Sequence, residues 1–156
     1  MYRLIPLLCC LSCSVPPADP APPAVSVTQA EPKIQELTIA ARGNLMAFDQ
    51  GELRARAGGK IRLTFSNPKN ASMNHNIFIV QAGNSQAVAE QCSAEGLVEP
   101  NAEAMKSIIA HSETIGPGQK TTIEFETPPP GRYEYVCTVR GHSQTMRGWL
   151  IVEPSP

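Results

Sequence analysis

Downstream of residue 33 the chain alternates apolar and polar positions in short runs. Ile34-Gln-Glu-Leu37-Thr-Ile39 follows this pattern with one slip, and Ile61-Arg-Leu63-Thr-Phe65 and Thr121-Thr-Ile123-Glu-Phe125 follow it cleanly. A period of two places every second side chain on one face of an extended strand. Further runs are Leu45–Phe48, Leu53–Ala57, the dense apolar Asn76–Val80, Ser107–Ile115, Gly131–Cys137 and Gly148–Val152. Gly43-Asn44, Gly58-Gly59, Asn67-Pro68, Gly83-Asn84, Gly116-Pro-Gly118 and Pro128-Pro-Pro-Gly131 punctuate them. Short runs broken by turn residues at this spacing predict an all-β sandwich. Ser85–Gly96 breaks the pattern: it is rich in Ala, Gln and Glu, with Ser85 placed to cap a helix and Gly96 to stop it. Residues 101–106 suit a second helical turn. Together they predict a short helical flap beside the sheets.

The first 32 residues read differently. Arg3 precedes the apolar run Leu4–Leu11, too short to span a membrane and suited to an export signal. Leu11-Ser12-Cys13 resembles a lipobox, in which Cys13 becomes lipidated. An ordinary signal peptide cleaved near Ala18 is the alternative, and both readings send the protein out of the cytoplasm. Residues 14–32 carry six prolines and no apolar periodicity, as an extended tether would. The expected organisation is a leader over 1–13, a linker over 14–32 and one domain over 33–153. About 120 residues are enough for one continuous core.

Charge narrows the function classes. With 13 basic and 14 acidic residues and no basic run, nothing points to nucleic acid. Of the five cysteines, only Cys92 and Cys137 lie in the folded part, which rules out a dense disulfide framework.

The chemistry concentrates in Cys137-Thr-Val-Arg-Gly-His142-Ser-Gln-Thr-Met146. A thiolate, an imidazole and a thioether lie in one loop between two strands, a soft set suited to copper. His75, where a loop enters the strand at Asn76, would complete a plane of two histidines and one cysteine, with Met146 axial and weak. A thiolate with two imidazoles serves Cu(I) and Cu(II) alike, so one such copper per chain would change little as an electron moves. Asn76 is placed to hydrogen-bond near Thr138 and tie the ligand loops together, and Gly141 lets the backbone turn into His142. His111, Met46, Met73 and Met105 are read as non-ligands, the methionines as packing residues. Cys92 is read as a buried thiol, with an intermolecular disulfide as the alternative. Glu124 and Glu126 fall on an outward strand face.

These residues resemble the azurin and auracyanin branch of the cupredoxins over about Lys33–Glu153. The likeness is strongest in Asn74-His75-Asn76, in Ile109–Gly118 and in Cys137–Val152. It implies a Greek-key sandwich of about eight strands with copper at one end, and His142 reaching the surface through an apolar patch where redox partners dock. It implies a monomeric single-electron carrier, not an enzyme, exchanging electrons with a c-type cytochrome, an oxidase or a quinol-oxidising complex. A copper-delivery protein is the alternative, although delivery sites tend to be Met-rich or open. Four departures stand out. Asn74 replaces a glycine, its carbonyl remaining a candidate distant ligand. Arg140 stands where proline is common, and Ile77 where a buried tryptophan is frequent. The family's disulfide is not obvious, because Cys137 is the other cysteine of the folded part.

Overall fold

The computed structural model describes residues 33–94 and 100–156, so the leader, Cys13, the linker and the helix stop expected at Gly96 lie outside it. In chain order the elements are β1 Ile34–Ala40, β2 Glu52–Arg56, β3 Lys60–Ser66, β4 Phe78–Gln81, α1 Ser85–Ala94, α2 Ala102–Met105, β5 Ile108–His111, β6 Lys120–Glu126, β7 Gly131–Val136 and β8 Arg147–Glu153. The strands form two sheets, ordered β1-β3-β6 and β2-β8-β7-β4-β5.

The alternation read from the sequence sorts side chains as expected. In β3, Ile61, Leu63 and Phe65 are buried while Arg62 and Thr64 are not. They meet Leu53, Ala55, Ile79, Tyr135, Leu150 and Val152 of the facing sheet in one core. Phe48 locks this core with edge-to-face contacts to Phe65 and Tyr135, at centroid distances of 5.8 and 5.3 Å. Beyond the alternation, β4 has both faces covered, which explains its unbroken apolar run. Ile77 and Ile79 face the sandwich, whereas Phe78 and Val80 pack with Val136 against Val88 and Cys92 of α1. Outside the core, Glu124 and Glu126 point outward and meet Arg62 and Lys60.

Some local expectations are corrected. Leu45–Phe48 is not a strand. The segment closes on itself through Arg42 N–H to the Ala47 carbonyl at 2.9 Å and keeps only an isolated bridge between Ala41 and Phe48. A left-handed turn at Gly43 and one buried anchor, Phe48, leave Leu45 and Met46 exposed, so Met46 is not a packing residue. Met105 is exposed too, on the outer side of the four-residue α2. The strand expected over Ser107–Ile115 is ladder-paired only over β5 and then bends away to bridge Ile115 to His75. Ser85 is the first helical residue, not the cap. Val88 N–H bonds the Asn84 carbonyl, and the Ser85 N–H is taken by the Glu134 carboxylate of β7 at 3.1 Å. That acid complements the positive N-terminus of α1.

Register decides where the connections go. Parallel pairing sets Ala40 beside Ser66, and antiparallel pairing sets Ser66 beside Lys120. In the other sheet Val136 lies beside both Arg147 and Phe78, Phe78 lies beside His111, and Glu52 lies beside Trp149. Residues 41–51, 67–77, 112–119 and 137–146 therefore gather at one end of the sandwich.

Candidate metal centre

Two of those four connections carry the side chains that converge. His75 closes the connection after β3, pinned by its N–H to the Ile115 carbonyl at 3.0 Å and by the Ile115 N–H to its own carbonyl at 2.8 Å. Ile77 N–H donates to Ser112 Oγ at 3.0 Å, fixing the chain on the other side of the histidine. Asn74 is exposed.

Cys137 follows β7 directly, and its N–H bonds the Met146 carbonyl at 2.9 Å, so the ends of the loop are tied. Within the loop, His142 N–H returns to the Val139 carbonyl at 2.9 Å with Gly141 at φ 84°, a turn whose third residue needs a positive φ. Met146 N–H bonds the His142 carbonyl at 2.8 Å. Arg140, just before Gly141, is exposed.

The loops bring His75, Cys137 and His142 together. The two Nδ1 atoms are 3.2 Å apart, and Cys137 Sγ is 3.9 Å from His75 Nδ1 and 3.6 Å from His142 Nδ1. Among the described residues these three form a group able to hold a metal ion, with ligand atoms within 4.8 Å of one another. His75, Cys137 and Met146 have no exposed surface, and His142 keeps 6%. Asn76 spans the two loops: its Oδ1 accepts the Thr138 N–H at 2.8 Å, and its Nδ2 donates to Thr138 Oγ1 at 2.9 Å and Thr114 Oγ1 at 3.2 Å.

Electrostatics decides what fits here. Burial, and then the neighbouring His142, push His75 down to about 4, and burial lowers His142 as well. Both imidazoles are thus neutral, the form that binds metal. Burial pushes the Cys137 thiol up, against the Asn76 and Val139 backbone N–H groups that bond the sulfur. A buried thiolate beside two neutral rings needs a cation to compensate it, and a soft metal meets that need.

Other candidates fall outside the group. His111 stacks on Phe78 at 5.0 Å in β5, and Met73 is half-buried. Cys92 is buried between α1, to which it belongs, and the sheet, and joins no disulfide among the described residues. Ile77 is fully buried. Ser112, Thr114 and Ile115 hold the His75 loop, yet no role for them was legible beforehand. The one available hint was two hydroxyl residues just ahead of the Gly116-Pro-Gly118 turn.

Comparison with known proteins places this geometry. Residues 35–153 match the model of the copper-binding proteins of the plastocyanin/azurin family. Auracyanin-A of Chloroflexus aurantiacus is 34% identical over 74% of this chain and 73% of its own. Auracyanin-B of the same organism is 31% identical over 80% of this chain, and the match spans about half, 54%, of that relative's length. The structure of dithionite-reduced auracyanin from Roseiflexus castenholzii superposes with a TM-score of 0.69 at 33% identity, covering 76% of this chain and 97% of that one. The two-sheet sandwich, the copper-suited donor set and these likenesses agree: the chain belongs to the plastocyanin/azurin family of copper-binding proteins, as a blue copper cupredoxin of the azurin/auracyanin type.

Proposed function

We propose that the protein is a single-electron carrier working outside the cytoplasm, with copper bound by His75, Cys137, His142 and Met146 and the Asn74 carbonyl as a distant further contact. The observation that carries this is the buried convergence of two neutral imidazoles and one thiol on loops cross-tied by Asn76. Copper in such a site supplies one-electron chemistry between Cu(I) and Cu(II).

The protein's own groups keep that site rigid and dry. Backbone hydrogen bonds fix His75 against Ile115 and close the Cys137–Met146 loop, so the donors are held before a metal arrives. Asn76 joins the two ligand loops, the outer support that orients such donors. His142, least buried of the set, offers the short route between the site and a docked partner. A single group of two imidazoles and one thiol, with no second cluster of ligands among the described residues, favours carrying over turnover. The family likeness extends to a protein captured in its reduced state, which supports a redox role.

We place the protein at a membrane through lipidated Cys13 and the linker over 14–32, acting as a monomer between redox proteins such as a c-type cytochrome, an oxidase or a quinol-oxidising complex. Adding Cu(II) to the full chain should raise an intense visible thiolate-to-copper band with a narrow copper hyperfine splitting in paramagnetic resonance. Cys137→Ser should abolish the band, whereas Met146→Gln should keep copper and lower the potential in voltammetry. A colourless copper complex would sink the assignment. Fatty-acid labelling with and without Cys13→Ala tests the anchor, which is wrong if both forms label equally.

A further inference from the structure

We propose that the metal-bearing end docks an acidic redox protein, a step that rests on the electron-carrier reading and adds the charge of the partner. Leu45 and Met46 are 55% and 43% exposed on the connection after β1. Thr145 Oγ1 donates to the Met46 carbonyl at 2.8 Å, joining that connection to the loop of His142. An apolar surface and the least buried donor thus share one face. An apolar centre is the half of a docking site that excludes water, and the rim sets the choice of partner.

The rim is cationic. Arg42 is exposed, and its carbonyl takes the Leu45 N–H at 3.1 Å, so it belongs to the same turn. Asn70 lies against Gly43 and Lys69 packs over Gly118, which brings exposed Lys69 to the same end. Arg140 is exposed two positions before His142. Neither Arg42 nor Lys69 stands in an ion pair with another of the described residues.

The acids of this end are Asp49, Glu52 and Glu113. Glu52 pairs with Arg54 at 2.7 Å, and Asp49 accepts the Ala40 N–H at 2.8 Å; both act on the Tyr135 hydroxyl. Glu113 shares a shallow hollow with Lys120. A chain of formal charge -1 therefore presents a positive face where the electron leaves. Such a field raises the encounter rate with a negative surface and slows it with a positive one.

The test uses two small oxidants of opposite sign on the copper-loaded, reduced full chain. In each reaction one electron leaves the protein, converting hexacyanoferrate(III) to hexacyanoferrate(II) or tris(phenanthroline)cobalt(III) to the cobalt(II) complex. Raising ionic strength from about 0.01 to 0.15 M shortens the Debye length from about 30 to 8 Å. The hexacyanoferrate rate should then fall at least about twofold and the cobalt rate should rise, opposite to what the net charge alone dictates. Arg42→Glu with Lys69→Glu should cancel or reverse both slopes, while Lys60→Glu at the far end should leave them. A hexacyanoferrate rate that climbs with salt overturns the proposal even though the protein is blue and reacts. A protein that gains no thiolate-to-copper band on oxidation to Cu(II), or is inert to both reagents, overturns the carrier reading beneath it. As a readout independent of rate, titrating the reduced protein with polyglutamate should shift the amide resonances of residues 42–46 and 69–70. Shifts confined to the opposite end would overturn it as well.

Discussion

Asn76 does the most at the scale of single residues. Both ends of its amide are engaged, and two of its three hydrogen bonds reach Thr138, 62 positions along the chain. Asn76→Ala removes the acceptor of the Thr138 N–H and both donations of the Asn76 amide, at a cost of about 2–3 kcal/mol in urea unfolding. A loss below about 0.5 kcal/mol would mean that the bridge is idle. His75 supplies a pH signature in the metal-free protein. Its folded value of about 4 lies below the ordinary 6.5, so between these values the unfolded chain binds the proton and the folded chain does not. The stability it contributes is complete above 6.5 and is lost as the pH falls toward 4, with the lowered His142 acting in the same sense. Urea midpoints of the metal-free protein should drop between those pH values, and less so in His75→Gln. The ligand loop was legible because Cys137, His142 and Met146 lie within ten residues of sequence. The roles of Ser112 and Thr114 were not, since each depends on a partner in the His75 connection, Ile77 or Asn76, that only the folded chain supplies.

Elements are held by contacts between neighbours in space rather than in sequence. Gly148, the second residue of β8, lies under the Tyr135 ring, whose hydroxyl bonds the Gln50 carbonyl at 2.7 Å. A Cβ there would collide with that hydroxyl and with the Gly51 carbonyl. Gly148→Ala should therefore destabilise by about 1–3 kcal/mol, read as a lower thermal midpoint; an unchanged midpoint would show that Tyr135 can move aside. Strand existence was legible wherever alternation persisted, as in β3 and β6. Leu45–Phe48 misled because four apolar-rich residues also describe a loop with a single buried anchor, Phe48. The cap of α1 escaped because Glu134 is 49 positions from Ser85.

The two sheets, taken as a whole molecule, are stapled at one end by loops that a metal would join. Metal loading should raise the unfolding free energy in proportion to the logarithm of free metal, by about 2.7 kcal/mol at a hundredfold excess over Kd, and the thermal midpoint with it. A midpoint insensitive to Zn(II) would mean that the donors do not bind metal in the folded state. Pairing was the least legible layer: nothing in the runs announces that β1 lies parallel to β3 and β2 parallel to β8. That pairing has a practical outcome at the opposite end. Lys33 accepts the Lys60 N–H there, and Ser155 Oγ donates to the Ala57 carbonyl, so the chain enters and leaves the domain side by side. With strands of seven residues, about 23 Å separates that entry from the other end of β1, where the connections carrying His75 and Cys137 gather. A label, an electrode linker or a fusion partner joined directly before Lys33 or after Ser155 therefore leaves the electron-exchanging pole facing outward.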